Sequence, residues 1–379
     1  MKILFVENAG LSSAGAYRSL VALITDLRKL GVEGHVALPK TADAVSLLKN
    51  EDIPYIQLQS CAYTRMVSDD ISFKDRLKMS LKDIAVRVTA YQLARYIKEQ
   101  DIDIVHDNTS VSYIGYHAAK IAHVKHVWHF REFMEEDFNC HYWKKEQLFK
   151  LFNQSDANIA VSEALCKKYE NEIHNLQVIY NGIDTEKYYH RKNKIFDSPL
   201  VKTLCVGRVC DGKGQKDLVT AAGILYQKYG EKIHISLAGV YTDFEYKKIM
   251  AIAKKFGIEE NVHFLGQCSD MIDIYAQNDV ICMVSKCEAF GRVTVEAMLS
   301  GCLALGADSG GTREILTSKT GVKYQAGFNE DLAEKLHYIV NHKEQVAQLA
   351  RAGQEDVRER FSSIKNAKQI KNVYEGLLS

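Results

Sequence analysis

Short β-branched runs alternate with helical patterns along the chain, in two successive series. Such alternation favours βαβ units that build a parallel sheet. Helical patterns such as 16–30 and 142–152 lie between the strands, and each offers one apolar stripe to a sheet. The strand candidates of the first series are 2–7, 35–38, 55–58, 102–106, 126–130, 157–161 and 177–180.

A second series begins after residue 200, with helical patterns at 218–229 and 245–256. Its strand candidates are 203–207, 233–239, 262–265, 280–284, 303–306 and 321–324. Between the two series, 188–194 is polar and basic and Pro199 follows it. A chain of 379 residues exceeds what one core usually holds. We therefore predict two doubly wound α/β domains, 1–190 and 201–360, a linker at 191–200, and a C-terminal helix within 361–379.

Composition excludes several classes of protein. Hydrophobic residues make up 46% and charged residues 26%, an ordinary balance for a globular protein. The net charge of +1 does not select for nucleic acid. Nine cysteines without a CxxC pair are typical of reduced thiols rather than disulfides or zinc sites. No apolar run approaches the ~20 residues of a membrane span, and 2–7 is too short for a signal peptide, so we expect a cytoplasmic protein.

Ligands of open α/β sheets bind beyond the carboxyl ends of the strands, so the strand-to-helix turns are the candidate sites. The turn at 8–18 contains Gly10 and Gly15, which permit close backbone approach, and it opens a helix whose first amides attract anions. A plain tight turn explains this segment equally well. The G-x-G-x-x-G spacing is missing, which excludes the nicotinamide dinucleotide fingerprint.

The turn at 207–214 follows the first strand of the second series. Arg208 and Lys213 stand five residues apart on a glycine-rich loop, where both cations can converge on a diphosphate. The loop lacks the Lys-Ser/Thr ending of a Walker A motif. The alternative is a pair of solvated charges on a flexible turn.

The turn at 285–298 places Glu288 in a loop and Glu296 inside the next helix. The helix start near Val293 offers unpaired amides to a phosphate, and carboxylates on either side of it suit sugar hydroxyls. The neighbours of Glu296 are apolar, so we expect this glutamate to be buried and to need a partner. The alternative is a surface residue of the helix.

These segments resemble the retaining glycosyltransferases of family 4. The stretches Glu288-Ala289-Phe290-Gly291 and Glu296-Ala297-Met298 resemble the family's E-x7-E motif. Residues 207–214 match its G-R-x-x-x-x-K-G loop, and 309–315, 181–184 and 160–163 resemble its G-G-x-x-E-I, N-G-[IV]-D and V-S segments. The matches follow the family's order over nearly the whole chain. In the first loop Ala14-Gly15 replaces the family's G-G pair, and His129 lies in a segment that varies more.

The resemblance implies a GT-B fold, in which two Rossmann-like domains face each other across a cleft and the C-terminal helix returns to the N-terminal domain. It implies that Arg208 and Lys213 neutralise the diphosphate leaving group, while Glu296 holds the ribose and Glu288 the transferred sugar. The other implied site residues are His129, a catalytic residue that reaches the donor sugar, and the donor-binding Gly15, Asn181, Ala289, Phe290, Gly291, Val293 and Thr294.

The implied activity is transfer of a hexose or N-acetylhexosamine from a nucleotide diphosphate sugar, with UDP favoured, to a glycan or lipid-linked acceptor. The family's reaction retains the anomeric configuration. No Asp-x-Asp sequence stands in the context of a metal site, and cations with a helix dipole can replace a divalent ion, so we expect neither metal nor cofactor. Two alternatives remain open: a nucleotide-sugar 2-epimerase of the same fold and a non-catalytic nucleotide-sugar sensor.

The segment 65–98 combines basic residues with apolar ones at helical spacing. A basic amphipathic helix can lie on anionic lipid, which predicts peripheral contact with the inner face of a membrane. Acidic residues, Asp69, Asp70, Asp75, Asp83 and Glu99, dilute this pattern. The alternative is a solvated helix face.

Overall fold

The computed structural model describes residues 1–8, 15–40, 45–58, 66–67, 72–138, 140–192, 194–268 and 270–379. The chain forms two compact units. Unit 1 contains Met1–Ile183 together with Ser363–Ser379, and unit 2 contains Asp184–Ser362. Strands and helices are numbered below in chain order.

The described part of unit 1 is built on a seven-stranded parallel sheet of order β3-β2-β1-β5-β6-β8-β9. A two-residue antiparallel ladder joins β4 to β7. The strands are β1 Lys2–Val6, β2 Glu33–Pro39, β3 Tyr55–Leu58, β4 Met66–Val67, β5 Ile104–Asp107, β6 Lys125–Phe130, β7 His141–Tyr142, β8 Ala157–Ala160 and β9 Leu176–Val178. The helices are α1 Gly15–Lys29, α2 Val45–Asn50, α3 Phe73–Glu99, α4 Ile114–Ala122, α5 Met134–Phe138, α6 Lys145–Asn153, α7 Glu163–Tyr169 and the C-terminal α16 Ser363–Leu378.

Unit 2 is built on a second parallel sheet, whose six described strands have the order β12-β11-β10-β13-β14-β15. The strands are β10 Lys202–Val206, β11 His234–Ala238, β12 Val262–Gly266, β13 Val280–Met283, β14 Leu303–Ala307 and β15 Val322–Tyr324. The helices are α8 Thr185–Tyr188, α9 Gln215–Tyr229, α10 Asp243–Phe256, α11 Met271–Gln277, α12 Arg292–Leu299, α13 Gly310–Ile315, α14 Asn329–Asn341 and α15 Lys343–Arg360. Short 3-10 turns occupy Asp211–Lys213 and Glu259–Asn261.

The inner strands of both sheets, such as β1, β5, β13 and β14, are almost wholly buried, whereas the edge strands β9 and β12 are partly exposed. In unit 1, Ile3 and Phe5 of β1 belong to the same buried cluster as Ile24 of α1 and Ile370 of α16. Helix α16 packs on α1, so the C-terminal helix returns to the N-terminal unit, as the sequence predicted. Helices normally cover both faces of a parallel sheet, which explains why the inner strands are buried on both sides.

Every strand candidate of both series is present, shifted at its ends by at most a few residues. The unit boundary, however, falls at Ile183/Asp184 and not within 191–200. The reason is that 184–190 packs on unit 2: Ser300 Oγ donates to the carbonyl of Tyr188, and His190 N donates to that of Leu299. The second crossing falls at Ser362/Ser363, two residues beyond the predicted 360.

Several sequence predictions fall on segments outside the described residues. These include Gly10 of the first turn, Cys61, and Arg65, Asp69 and Asp70 of the basic segment. The eight described cysteines form no disulfide bond with one another. Among the described residues, no helix is both long and apolar enough to cross a membrane.

Candidate functional site

The topological switch point of unit 2 lies between β10 and β13, because the chain leaves β10 toward β11 on one side and later returns to β13 on the other. Ligands of open α/β sheets bind at such points, beyond the carboxyl ends of the strands. The loops after β10 and β13 touch here: Lys286 N donates to the carbonyl of Gly212 at 3.2 Å. Gly214 has a φ of +74°, and a Cβ there would lie 2.1 Å from the carbonyl oxygen of Val284. The two loops can therefore close only because residue 214 is glycine.

The side chains of Lys213 and Glu288 meet at this switch point. Lys213 Nζ lies 2.6 Å from Glu288 Oε1, which also accepts from Ser285 Oγ at 2.7 Å. Both side chains are largely shielded, with 33% of Lys213 and 17% of Glu288 exposed. A cation predicted to bind diphosphate and a carboxylate predicted to bind sugar thus share one place, although they are 75 residues apart in sequence.

Arg208 lies on the loop of Lys213, and its side chain is exposed. Gln215 Nε2 donates to the carbonyls of Gly207 and Arg208, at 3.3 and 3.2 Å, and so fixes the backbone from which the guanidinium projects. Hydrogen bonds from Thr242 and, less strongly, the charge of Arg208 lower the pKa of Glu245. The next residue, Val209, donates its N–H to the carbonyl of Val240 at 2.9 Å, so the exposed Arg208 lies on a stretch of loop beside the segment that precedes α10.

The backbone of 288–290 rests against the start of α13. Gly311 N donates to the carbonyl of Glu288 at 2.7 Å. A Cβ on Gly310 would lie 2.5 Å from the same oxygen, and one on Gly311 would lie 2.6 Å from the carbonyl oxygen of Phe290. The paired glycines are thus required by close packing, and they support the loop that carries Glu288.

Helix α12 begins at Arg292, one residue before the predicted start at Val293. Its N-cap, Gly291, has a φ of +100° and provides no side-chain cap. The positive end of the helix dipole favours an anion here, although Thr294 N already donates to the carbonyl of Gly291 at 3.1 Å. Thr294 is fully buried, and among the described residues its hydroxyl has no hydrogen-bond partner. The start of α12 therefore offers the positive end of a helix dipole to an anion.

Glu296 is buried, with 7% of its surface exposed, and both of its carboxylate oxygens have partners. Arg292 Nη2 donates to Oε1 at 2.9 Å, and Tyr275 Oη donates to Oε2 at 3.1 Å. Burial, followed by the charge of Glu296, raises the pKa of Tyr275 well above its ordinary value, so its hydroxyl remains a donor. Sequence reasoning correctly expected a buried glutamate with a partner but identified neither partner. Arg292 could have been identified as a partner from its i,i+4 spacing to Glu296. No sequence signal pointed to Tyr275.

In unit 1, His129 lies within β6 and is fully buried. Arg131 Nη2 lies 3.1 Å from His129 Nδ1, and because a guanidinium only donates, Nδ1 is an acceptor and the ring proton is on Nε2. His106 Nε2 then donates to the same Nδ1 at 3.2 Å, and His106 Nδ1 accepts from the Tyr374 hydroxyl at 2.6 Å. No partner of His129 Nε2 is present among the described residues. His129 is thus a buried residue of β6, within the strand predicted at 126–130.

Arg131 lies just beyond the carboxyl end of β6. Its Nε donates to the carbonyl and to Oδ1 of Asn108, at 3.0 and 3.1 Å, and its Nη1 donates to Oδ1 of Asn181. Asn108 in turn donates to Glu7 at 2.7 Å. This polar network joins the ends of β1, β5 and β6 to the segment after β9. Its members Glu7, Asn108 and Arg131 were not identified from the sequence, although all three follow strands directly.

The N-G-I-D segment has a structural explanation at each position. Asn181 accepts from Arg131, and a Cβ on Gly182 would lie 2.5 Å from the Cα of Ser363, at the start of α16. Ile183 is buried, and Asp184 caps α8 by accepting from Lys187 N at 3.0 Å. Asn181 and His129 are therefore linked through Arg131. Gly15 begins α1, and the rest of its loop, 9–14, lies outside the described residues.

Two family models together match nearly the whole chain. Residues 13–187 match the model described as Glycosyltransferase Family 4, and residues 187–356 match that of Glycosyl transferases group 1. Each model covers one unit, and the second includes the loops of Lys213, Glu288 and Glu296.

The chain belongs to glycosyltransferase family 4.

Curated proteins with similar sequences carry related names. The N-acetyl-alpha-D-glucosaminyl L-malate synthase of Bacillus anthracis is 28% identical to this glycosyltransferase over 239 residues, 59% of this chain and 61% of that protein. The capsular polysaccharide biosynthesis glycosyltransferase CapH of Staphylococcus aureus is 23% identical over 288 residues, 71% of this chain and 77% of that protein. The chain spans between 50% and 61% of the length of the first curated relatives it matches.

Solved structures show that this glycosyltransferase has the GT-B fold. Anabaena Alr3699/HepE in complex with UDP and glucose gives a TM-score of 0.77 at 21% identity, covering 99% of this chain and 100% of that one. A glycosyltransferase from Rickettsia africae gives 0.80 at 20% identity, covering 100% and 98%. Among the described residues of this chain, no group of three or more His, Cys, Asp or Glu side chains is placed to hold a metal ion.

Proposed function

We propose that the chain transfers a hexose or N-acetylhexosamine from a UDP-sugar to a glycan or lipid-linked acceptor in polysaccharide or glycoconjugate synthesis. The observation that carries the proposal is the meeting of Lys213 and Glu288 at the switch point of unit 2. A cation there neutralises a diphosphate, while the adjacent carboxylate accepts hydrogen bonds from sugar hydroxyls. The names of similar proteins, among them CapH, and the UDP bound to Alr3699/HepE support this choice of donor and pathway class.

The reaction we propose breaks the bond between the anomeric carbon and the diphosphate oxygen. The bonding electron pair leaves with the β-phosphate, so negative charge grows there while positive charge grows on the anomeric carbon. Arg208, Lys213 and the first amides of α12 stabilise the leaving diphosphate. The acceptor oxygen forms the new bond to the anomeric carbon, and its proton passes to the leaving phosphate. No second carboxylate is needed for this step.

We assign Glu296 to the ribose and Glu288, with the backbone of Ala289, Phe290 and Gly291, to the transferred sugar. Val293 and Thr294 are assigned to the diphosphate. In unit 1, Asn181 and Gly15 are proposed to contact the donor. For His129, which is fully buried, we propose that it orients Arg131, whose side chain presents the polar surface at that strand end.

We propose that transfer retains the anomeric configuration and needs neither a divalent metal nor a cofactor. Proton NMR of the product made from an α-linked UDP-sugar tests the first point: an α-linked product supports retention, and a β-linked product contradicts it. Turnover measured in EDTA and then with added Mg²⁺ or Mn²⁺ tests the second. Activity that disappears in EDTA and returns with one of these ions contradicts metal independence.

We further propose that the enzyme works on the cytoplasmic side of a membrane and contacts its anionic surface peripherally. A lipid-linked acceptor presents its sugar at such a surface, so a protein that approaches from the aqueous side reaches it without spanning the bilayer. The basic helix α3 is the element that supports this part of the proposal.

Incubation of the protein with UDP-, GDP- and ADP-sugars in the absence of acceptor separates this function from its alternatives. A transferase releases the nucleoside diphosphate slowly by transfer to water, and faster when an acceptor is added. Accumulation of a sugar inverted at C2 identifies a 2-epimerase instead. Tight binding without turnover of any donor, with or without a panel of glycan acceptors, identifies a sensor.

A further inference from the structure

Helix α3 carries a continuous apolar stripe on its outer surface. The six large apolar side chains of the stripe are between 56% and 82% exposed. They recur at intervals of four or three residues, which at ~100° per residue places them on one face of the helix. The members are Phe73, Leu77, Leu81, Ile84, Val88 and Tyr91.

The opposite face of the same helix holds α3 to unit 1. Val86, Ala90, Leu93 and Ile97 are buried there, and α3 packs against α4. By helical geometry this buried face lies about 180° from the outer stripe. Every buried side chain of the described helix lies at or beyond Val86, whereas residues 73–78 are exposed. Packing within the unit therefore accounts for one apolar face of α3 and leaves the other exposed.

Basic side chains border the stripe on both sides. At about 100° per residue, Lys74 and Lys78 fall on one side of it, and Arg76 and Arg87 fall on the other. The helix contains seven basic residues and three acidic ones. The six apolar residues and these four basic neighbours together form a surface that we name the α3 stripe.

Two of the three acidic residues of α3 are paired with basic side chains, and the third is hydrogen-bonded at the start of the helix. Asp75 accepts from the N-cap Ser72 at 2.6 Å. Asp83 pairs with Lys144 at 2.9 Å, and Glu99 pairs with Arg95 at 2.6 Å. The charge that the stripe's borders present is therefore predominantly positive.

We propose that the α3 stripe inserts into the surface of an anionic lipid bilayer. An apolar band bordered by cations is the pattern of a helix that lies in the plane of a membrane interface. Charge complementarity favours lipid over a second copy of the chain, because antiparallel pairing of two stripes would bring basic borders against basic borders. This surface would bring the enzyme to a lipid-linked acceptor, and in that respect the inference rests on the proposed function.

The test is co-flotation of the full chain with vesicles of phosphatidylcholine containing 30 mol% phosphatidylglycerol. The L77E/L81E variant places two acids in the stripe. The matched control, L200E/L378E, makes the same two exchanges at exposed leucines elsewhere, so its net charge is identical. We expect the wild-type chain and the control to float at low salt, and L77E/L81E to bind at least tenfold more weakly. Replacing Lys74 or Lys78 by alanine should weaken binding about fivefold each.

Failure of the wild-type chain to float overturns the proposal, and so does equal binding by L77E/L81E. Sedimentation velocity tests the alternative that the stripe binds a second copy of the chain. A wild-type dimer that the L77E/L81E exchange dissociates, together with no binding to vesicles, would support that alternative and overturn the lipid proposal. Calorimetric binding of UDP by L77E/L81E shows that the variant is folded. UDP binding and flotation are measured independently. Absence of UDP binding therefore counts against the proposed function, and absence of flotation counts against the lipid proposal.

Discussion

Lys213 and Glu288 form an ion pair of 2.6 Å between two loops that leave neighbouring strands of the same sheet. In a surface pair such contacts contribute little to stability, about 0–1 kcal/mol. Here the pair is partly shielded, and the carboxylate also accepts from Ser285. We infer that its role is to hold the ammonium where a diphosphate arrives, so that the cation does not have to reorganise during the reaction.

Replacing Lys213 with alanine should slow donor turnover by about 100- to 1000-fold, because one preorganised charge-stabilising group contributes about 3–4 kcal/mol. Release of UDP from a UDP-sugar measures the effect. Lys228→Ala is the matched control, since Lys228 is an exposed lysine of unit 2 paired with Glu334. A Lys213→Ala rate within threefold of the control would show that this lysine does not act on the leaving group.

Tyr275→Phe should weaken UDP binding about fivefold to tenfold, because Glu296 loses one hydrogen bond of about 1–1.5 kcal/mol and its carboxylate is no longer held in place. If Tyr275 acts through the ribose, the variant and the wild-type chain should bind 2′,3′-dideoxy-UDP equally well. Calorimetry with both nucleotides provides the test. An equal loss for both nucleotides would assign Tyr275 a purely structural role.

Gly311→Ala should reduce turnover by displacing the loop of Glu288, since the added Cβ would lie 2.6 Å from the carbonyl oxygen of Phe290. Backbone atoms cannot move aside as a side-chain end can, so we also expect a loss of stability of about 1–3 kcal/mol. Gly376→Ala is the control, because a Cβ there meets nothing within 4 Å and should slightly stabilise α16. Chemical denaturation and UDP release report the two effects. Wild-type values of both for Gly311→Ala would contradict the packing argument.

Acidification should destabilise unit 1 through its buried histidines. Burial, followed by the charge of Arg131, lowers the pKa of both His106 and His129 well below the ordinary value. The unfolded chain takes up these protons below about pH 6.5 while the folded chain does not, so stability is full above that pH and falls as the pH drops toward the folded pKa values. The slope should reach about 1.4 kcal/mol per pH unit for each histidine.

Urea unfolding monitored between pH 7.5 and 5.5 measures this slope. His129→Gln should reduce it by one histidine's share, whereas His174→Gln, at an exposed site, should leave it unchanged. Histidine proton resonances provide a second readout, because those of His106 and His129 should stay unshifted over this range in the folded protein. Titration of both rings near pH 6.5 in the folded chain would refute the assignment.

The sequence sufficed for those features that depend on local periodicity or on a contiguous motif. Continuous apolar runs located all thirteen strands of the two main sheets, and the loops of Lys213 and Glu288 were recognised from spacing alone. The β4–β7 ladder was missed because two residues on each strand carry no periodic signal. Tyr275 was missed because its contact with Glu296 depends on how α11 packs beside α12.

His129 shows a different limit of sequence reasoning. The predicted strand 126–130 already contained His129, and β6 ends at the same residue, Phe130. The resemblance implied that His129 reaches the donor sugar, whereas in the structure His129 is fully buried and Arg131, the first residue after the strand, joins the polar network at the strand ends. The unit boundary lies earlier in the chain than predicted because Asp184 caps a helix that packs on unit 2.

We propose that the switch point of unit 2 binds a diphosphate with Arg208, Lys213 and the start of α12. Calorimetric titration of UDP into the wild-type chain, the R208A/K213A variant and a charge-matched R351A/K228A control tests this proposal. We predict that the control binds like the wild-type chain and that R208A/K213A loses at least 100-fold in affinity. Equal affinity of all three proteins would contradict the account.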